Sequence, residues 1–196
     1  KTDAVGQQLY QAIMDDNPTV FIEHRWLHNQ SCAAEKIIDY TTPLRKVRTH
    51  KTGSDITLVA NSYMLLEALQ ATEVLSSVGI SCDILDTADT DISAWENIYS
   101  SVRKTGRLLV CDSAHKHFSL SAEVISSCVE HCFSSLKSAP QRLGLPMYPE
   151  PTSFGMTRDY YNNAQSIVSM VCTMLNVPVP DLSQSGQSFH DVPGAW

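Results

Sequence analysis

The stretch Ser54–Asp86, with the sequence SDITLVANSYMLLEALQATEVLSSVGISCDILD, decides the fold. It opens with Ile56–Ala60, a short apolar run with β-branched residues, which is typical of a strand covered on both faces. Apolar residues then follow a helical period from Tyr63 to Ser77, and Ser81–Asp86 has the pattern of a second strand. Because the connections are short, the stretch predicts a parallel βαβ unit with a right-handed crossover.

The residues at both ends of the predicted helix favour these boundaries. Asn61 or Ser62 can accept a hydrogen bond from a free backbone N–H of the first turn, and Gly79 can supply a left-handed stop. One face is predicted to point inward and carries Leu65, Ala68, Leu69, Thr72 and Leu75. The residues predicted to point away from the core are Glu67, Gln70 and Glu73.

The composition indicates a globular protein that can bury one good core. The chain has 196 residues, 43% of them hydrophobic and 18% charged, and its net charge is −7. This charge argues against a nucleic-acid partner, which would require a clustered basic face. The one basic run, Arg45–Lys51, is short and is interpreted as a solvated linker before a strand. No stretch approaches the roughly 20 apolar residues of a membrane helix, and we expect no membrane partner.

The cysteine pattern predicts a reducing compartment. The six cysteines form no CxxC pair, and three of them fall inside strand or helix patterns, where a reduced thiol behaves as a small hydrophobe: Cys82, Cys111 and Cys172. Cys128, His131 and Cys132 could share a helix face, but a zinc site needs a fourth ligand and none is obvious. The favoured interpretation is a cytoplasmic protein with reduced cysteines.

Strands and helices continue to alternate beyond the central unit. The predicted elements are a helix over Ile92–Lys104, a strand over Leu108–Cys111, a helix from Ser119 or Ser121 to Leu136, a weak strand over Gln141–Gly144 and a helix over Tyr160–Leu175. The first of these helices is predicted to bury Ile92, Trp95, Ile98, Tyr99 and Val102. The alternation predicts an α/β protein with three layers, α/β/α, around a mostly parallel sheet.

The residues before the central unit have a different pattern. A helical segment ends at Pro18, and Thr19–Glu23 has the pattern of an apolar strand, although nothing before it could supply a sheet. We therefore expect residues 1–40 to be the tail of a truncated second α/β domain and residues 41–53 to be a linker. Residues 54–175 are predicted to form the three-layer domain, and residues 176–196 a polar C-terminal tail.

Ligands of open α/β sheets bind beyond the carboxyl ends of the strands, so the loops there are the candidate sites. The first loop, residues 60–63, has neither the GxGxxG glycines nor the Walker lysine, which argues against dinucleotide and nucleoside-triphosphate sites. The second, Asp86–Asp91, carries three acidic residues that could hold a hard cation or could cap turns, and capping is the favoured interpretation.

The third loop, Asp112–His117, carries the most reactive-looking residues of the chain. A serine beside histidines is compatible with a hydrolase. However, no GxSxG elbow is present, and sequence neighbours rarely have triad geometry. Contact with another subunit is therefore the favoured interpretation. His24 and His28 are explained as well by the edge of a second domain as by a metal.

Four segments, in this order, resemble the second half of the beta subunit of the thiamine-diphosphate-dependent 2-oxoacid dehydrogenase first component, the pyruvate dehydrogenase type. They are residues 12–24 (AIMDDNPTVFIEH), 43–60 (PLRKVRTHKTGSDITLVA), 102–110 (VRKTGRLLV) and 121–124 (SAEV). The order of the segments is more specific than any single one. The resemblance implies a transketolase-type C-terminal domain that builds subunit contacts and helps to dock an acyltransferase.

The resemblance also implies a function for the complete enzyme, the oxidative decarboxylation of a 2-oxoacid. In the family, a GDG motif of the alpha subunit holds magnesium and the diphosphate of thiamine diphosphate, and this motif does not occur here. The resemblance therefore implies that the cofactor is held elsewhere, and we expect this stretch alone to be catalytically silent. The implied partners are the alpha subunit of the same enzyme, the dihydrolipoyl acyltransferase core and a second copy of the chain. In some family members, the segment matching Ala12, Ile13, Asp15 and Asn17 contributes oxygens to a structural potassium site.

The chain departs from the family pattern in its loops. The family usually has two glycines where Phe118 and Ser119 stand, and an Arg and a Pro where Ala88 and Ile92 stand. Two further functions therefore stay open. One is a fragment of a transketolase-like ketol-transfer enzyme, and the other is a non-catalytic protein-interaction domain. The fold alone does not choose among them.

Overall fold

The computed structural model describes residues 3–29, 47–87, 92–157 and 160–181, and these contain one five-stranded sheet. The strands are β1 (Val47–Lys51), β2 (Ile56–Ala60), β3 (Cys82–Thr87), β4 (Leu108–His115) and β5 (Gln141–Leu145). The α-helices of the described residues are α1 (Asp3–Met14), α2 (Ser62–Ser77), α3 (Glu96–Thr105), α4 (Leu120–Cys132), α5 (Phe154–Thr157) and α6 (Ala164–Leu175). Short 3-10 turns lie at Arg25–Asn29, Ile92–Ala94 and Phe133–Ser135.

The sheet is mostly parallel, as predicted. Its strand order is β1-β3-β2-β4-β5, and β2 pairs in parallel with both β3 and β4. β4 pairs in parallel with β5, whereas β1 is antiparallel to β3. Since β3 lies on one side of β2 and β4 on the other, the direction of winding reverses at β2, and this makes its carboxyl end the topological switch point.

Each face of the sheet has its own hydrophobic core, because successive strand residues point to opposite faces. Leu58 of β2 belongs to the core that α2 and α6 cover, and the adjacent Val59 belongs to the core that α3 and α4 cover. Both side chains are almost completely buried. This burial on two faces explains why β2 is buried throughout and mostly apolar, with no alternation between apolar and polar residues.

A glycine ends α2, and its backbone conformation requires one. Gly79 has a φ of 81°, in the left-handed region that glycine adopts without a Cβ clash. Its N–H donates to the carbonyl of Ser76, and the N–H of Ile80 donates to the carbonyl of Leu75. These two hydrogen bonds form a Schellman motif, which confirms the predicted stop.

The structure corrects the linker interpretation for residues 47–51, whereas Arg45 and Lys46 lie outside the described residues. Residues 47–51 form β1, whose Val47 is buried against the core that contains Trp95. Lys51 donates from Nζ to Ser76 Oγ at 2.9 Å. An edge strand can carry charged side chains that point to water, so this strand resembles a linker in composition.

The predicted strand over Thr19–Glu23 is wrong. This segment has no strand pairing within the described residues, and the side chains of Val20 and Ile22 are 86% and 88% exposed. An apolar run becomes a strand only where a neighbour completes its backbone hydrogen bonds. Two smaller corrections concern Ile92, which is 50% exposed, and the last helix, which begins at Ala164 after an Asn163 capping box.

Candidate functional site

The carboxyl ends of β2, β3 and β4 meet at one edge of the sheet, as the parallel topology requires. A small depression lies there, between the loop that precedes α2 and the start of α4. It is lined by Val59, Ala60, Asn61, Thr87, Val110, Cys111, Asp112, Leu120, Ser121 and Val124. Most of these side chains are apolar, and Asp112 contributes the carboxylate.

Asp112 organises the connection between β4 and α4. Its side chain is buried, with Oδ1 accepting from the Ala114 N–H at 3.0 Å and Oδ2 accepting from the Ser121 N–H at 3.1 Å. The carboxylate thereby satisfies a backbone donor in β4 and one at the N-terminus of α4, where a negative charge is also favoured by the helix dipole. Asp112 therefore holds a loop in place, and both of its oxygens are occupied.

The predicted serine–histidine loop does not form a catalytic triad. β4 continues through Asp112 to His115, so four of the six residues read as a loop belong to a strand. His115 donates from Nδ1 to the carbonyl of Pro146 at 2.8 Å, which fixes its ring against the loop after β5. Within the described residues, no hydrogen bond joins Ser113 to a histidine. The hydrolase alternative therefore has no geometric support.

Phe118 occupies an unusual position in the same connection. Its side chain is 99% exposed, and its φ of 57° lies in the left-handed region that favours glycine. The resemblance noted in the sequence implies a glycine at this position, and a glycine would adopt the observed φ without strain. The departure noted in the sequence thus replaces a permissive residue with an exposed aromatic ring.

Asp86, the first residue of the acidic loop, is buried at the carboxyl end of β3. Its Oδ2 lies 3.4 Å from Nε2 of His50, which comes from β1. This pairing accounts for one of the three acidic side chains, while residues 88–91 lie outside the described residues. The cation interpretation of the loop is therefore not tested, because two of its three acidic residues are not among the described ones.

The four predicted potassium ligands lie at the exposed C-terminal end of α1. Ala12 and Ile13 are in its last turn, where carbonyl groups have no partner within the helix. Asp15 accepts at Oδ1 from the backbone N–H of Asn17 at 2.9 Å and from its Nδ2 at 2.7 Å. The structure therefore gathers the four residues at one helix end, with a local turn that needs no ion.

A buried carboxylate in α2 was missed by the sequence analysis. Glu67 is fully buried, and its Oε2 accepts from the N–H of Ala164, the first residue of α6, at 2.7 Å. The prediction that Glu67 points away from the core is wrong. Its neighbours one turn away on the helix, Met64 and Ala71, are apolar in the sequence and buried in the structure. Their apolar character was the sequence signal for a core-facing position.

Glu67 belongs to a cluster of side chains that includes Tyr63 and reaches His24 in the N-terminal segment. Burial and the adjacent Glu67 carboxylate raise the pKa of the Tyr63 hydroxyl well above its ordinary value. The Tyr63 ring stacks on the ring of His24, with centroids 5.3 Å apart, and burial lowers the pKa of His24. His24 thus contacts the domain through Tyr63.

The described cysteines have the state that the sequence predicts. Cys82, Cys111, Cys128, Cys132 and Cys172 are free and buried. His131 does not join Cys128 and Cys132 in a metal site, because its ring stacks on Tyr99 at 4.5 Å and its Nδ1 donates to the carbonyl of Ser127. None of the helices in the described residues combines the length and the apolar character needed to cross a membrane.

Comparison with known proteins gives a consistent family. Residues 45–167 match the family model described as "Transketolase, C-terminal domain". The chain is 36% identical over 135 residues to "2-oxoisovalerate dehydrogenase subunit beta 2, mitochondrial" of Arabidopsis thaliana, a match that covers 69% of this chain and 38% of the relative. It is 30% identical over 176 residues to "Acetoin:2,6-dichlorophenolindophenol oxidoreductase subunit beta" of Bacillus subtilis (strain 168), covering 90% of this chain and 51% of the relative.

A third relative and a solved structure complete the comparison. "Pyruvate dehydrogenase E1 component subunit beta" of Rhizobium meliloti (strain 1021) is 29% identical over 169 residues, which are 86% of this chain and 36% of the relative. The chain thus spans at most about half the length of these relatives. The structure titled "Split gene transketolase, inactive beta4 tetramer" has a TM-score of 0.57 at 22% identity and covers 73% of this chain and 47% of its own, which supports the fold.

Proposed function

Because the chain belongs to the transketolase C-terminal domain family, we propose that it is the assembly domain of a 2-oxoacid dehydrogenase beta subunit. The domain binds an alpha-type subunit, a second beta subunit and an acyltransferase core. The complete enzyme oxidatively decarboxylates a 2-oxoacid, and this chain supplies subunit contacts to it. The beta-subunit names of the relatives support the proposal.

One observation supports the assembly role. At the carboxyl edge of the sheet, the one carboxylate that lines the depression is hydrogen-bonded within the chain. Asp112 occupies both its oxygens with the backbone N–H groups of Ala114 and Ser121. The side chains of Leu120 and Val124 complete the wall of the depression. Such an arrangement holds the loops in fixed positions, and among the described lining residues the one carboxylate serves to bind backbone N–H groups.

The same residues do not fit thiamine diphosphate or its magnesium ion. The lining of the depression contains no cationic side chain for a diphosphate, and its carboxylate is already satisfied by backbone donors. The cofactor is therefore held outside this depression in our proposal. The five free, buried thiols support a cytoplasmic location as a further part of the proposal.

A structural potassium ion at the end of α1 is a separate part of the proposal. The carbonyl groups of Ala12 and Ile13 and the carboxylate of Asp15 are oxygen donors at the negative end of a helix, which suits a hard monovalent cation. Potassium should raise the melting temperature of the protein more than sodium at equal ionic strength. An Asp15→Ala variant should lose that difference, and an unchanged difference would remove the site from the proposal.

The test of the main proposal is reconstitution. The intact beta subunit that contains this domain is co-purified with an alpha-type subunit bearing the GDG motif. Decarboxylation of pyruvate and of branched-chain 2-oxoacids is then followed with an artificial electron acceptor. We expect activity only when both subunits and thiamine diphosphate are present. Ketol transfer between sugar phosphates would instead establish the transketolase-like alternative, and stable complexes without either activity would establish the interaction-domain alternative.

A further inference from the structure

The side chain of Phe118 combines two unfavourable features. Its ring is 99% exposed, so it gains nothing from burial within the chain. Its φ of 57° places a residue with a bulky side chain in a backbone region that disfavours it. Strained conformations of this kind persist where the surrounding structure enforces them, and they cluster at functional sites.

The connection that carries Phe118 is held from both sides. Before Phe118, the N–H of Lys116 donates to the carbonyl of Leu145 at 2.8 Å, and His115 donates to the carbonyl of Pro146. After it, Ser119 Oγ lies 2.6 Å from Ser121 Oγ, and the Ser121 N–H donates to Asp112. The exposed ring therefore stands on a preorganised support, which reduces the entropy lost when a partner immobilises it.

The adjacent loop adds further exposed apolar surface. Residues that follow β5 lie beside the Phe118 connection through the pairing of His115 with Leu145. Met147 and Tyr148 in that loop are 59% and 55% exposed. We call Lys116, His117, Phe118, Met147 and Tyr148 the Phe118 patch. Aromatic residues and methionine at its centre are the side chains enriched at the centres of protein interfaces.

The charge of the Phe118 patch differs from that of the chain. The exposed Lys116 carries a positive charge beside His117, whereas the whole chain has a net charge of −7. The adjoining loop contributes one carboxylate, that of Glu150, and it accepts a hydrogen bond from the Tyr161 hydroxyl. A complementary surface would therefore be apolar at its centre and acidic at its rim.

We propose that the Phe118 patch is a docking anchor whose aromatic ring inserts into an apolar, acid-rimmed pocket of the alpha-type subunit. This inference rests on the proposed function, in which the alpha-type subunit is one of the three partners. Phe118 provides the buried anchor, and Lys116 provides charge complementarity at the rim. The preorganised loop makes the position of the ring independent of the partner.

The experiment measures binding of the intact beta subunit to the alpha-type subunit by calorimetry, at low and at high salt. Phe118→Gly should weaken binding by at least about tenfold, because it removes an interface anchor. The same variant should keep its melting temperature within about 2 °C of the wild type, since glycine accepts the left-handed φ. Lys116→Glu should weaken binding mainly at low salt, where charge interactions are unscreened.

Phe133→Ala is the matched control, because Phe133 is also exposed, at 74%, but has a φ of −49° and lies at the far end of α4. Its affinity should stay within about twofold of the wild type. If the wild type binds the alpha-type subunit and Phe118→Gly binds equally well, the anchor is disproved while the proposed function stands. If Phe118 supports only self-association, the anchor proposal also fails while the proposed function stands. If the wild type does not bind the alpha-type subunit at all, both proposals fail.

Discussion

At the scale of single residues, Glu67 shows how one side chain connects distant parts of the chain. Its carboxylate lies in the core between α2 and α6 and accepts from a backbone N–H that is 97 residues away in sequence. This backbone donor is one of the first N–H groups of α6, which have no partner within the helix. A single carboxylate thus positions the whole helix against α2.

Replacing Glu67 with alanine should destabilise the protein by about 1–3 kcal/mol, because the Ala164 N–H would stay buried without an acceptor and a cavity would remain. Urea unfolding followed by circular dichroism measures this loss. Glu73→Ala on the exposed side of the same helix is the control and should change stability by less than about 0.5 kcal/mol. Equal effects of the two substitutions would contradict the role assigned to the buried carboxylate.

Because several thiols are buried, the free energy of unfolding should depend on pH in the alkaline range. Burial favours the neutral thiol and raises the pKa of Cys82 and of Cys128 to about 12, from an ordinary value of 9.0. Between these values the folded state binds more protons than the unfolded state. The stabilisation is therefore complete below about pH 9 and is lost as the pH rises toward about 12.

The free energy of unfolding should then fall above about pH 9, with each such thiol adding up to about 1.4 kcal/mol per pH unit. Urea unfolding from about pH 8 to about pH 11 measures the slope. The double variant Cys82→Ala, Cys128→Ala should be less stable at neutral pH but should show a shallower decline. A slope that is identical in both proteins would show that other groups cause the alkaline loss.

At the scale of elements, three glycines distinguish two reasons for a glycine: a clash that a Cβ would cause, and a backbone φ that only glycine adopts freely. A Cβ on Gly53 would lie 2.3 Å from the carbonyl carbon of Cys82, at the turn between β1 and β2. A Cβ on Gly79 would have open space but would require an unfavourable φ of 81°. A Cβ on Gly155 would meet no atom within 4 Å, and no such φ is involved.

Substitution of each glycine by alanine should therefore give three different losses of stability. Gly53→Ala should cost more than about 3 kcal/mol because backbone atoms must move. Gly79→Ala should cost about 1 kcal/mol through its backbone conformation, and Gly155→Ala should be neutral within about 0.5 kcal/mol. Chemical denaturation of the three variants gives the order, and a loss at Gly79 as large as that at Gly53 would contradict the steric argument.

The sequence predicts the elements whose apolar pattern follows directly from burial in the core. β2, α2 and β3 are of this kind, and they are present as predicted. β1 was missed because an antiparallel edge strand needs no continuous apolar run. The loop after Cys111 was predicted too early, because the end of β4 is exposed and mostly not apolar. Its last residue, His115, pairs with Leu145 of β5, a contact between residues far apart in sequence.

The location of the candidate site could be predicted from the sequence, but the hydrogen bonds of its residues could not. Parallel strands fix the edge where loops converge, so the position of Asp112 follows from the alternating pattern. The pairing of its carboxylate with the Ala114 and Ser121 N–H groups depends on a loop conformation that no local period encodes. Glu67 was predicted to be exposed for a related reason. A charged residue on a helix is usually solvated, and the backbone donor that Glu67 binds lies far away in sequence.

At the scale of the whole molecule, the described residues differ greatly in how many buried contacts they make. The central sheet is enclosed by helices on both faces, and β2 and β3 are buried throughout. In α1 and the segment that follows, large apolar side chains are exposed: Val5, Leu9, Tyr10, Ile13, Met14, Val20, Phe21 and Ile22. His24 provides a contact with the domain through the Tyr63 ring.

Hydrogen exchange should reproduce this difference. Amides of residues 3–24 should exchange rapidly in the isolated chain, because local opening there exposes little additional apolar surface, whereas β2 and β3 should exchange only through global unfolding. Binding of the alpha-type subunit or a second copy should slow exchange in residues 3–24, since a partner would cover Val20 and Ile22. The sheet serves as the internal control, with rates unchanged by the partner. Strong protection of α1 in the monomeric chain would instead mean that its apolar face is already satisfied within the molecule, and the assembly surface would have to be confined to the Phe118 patch.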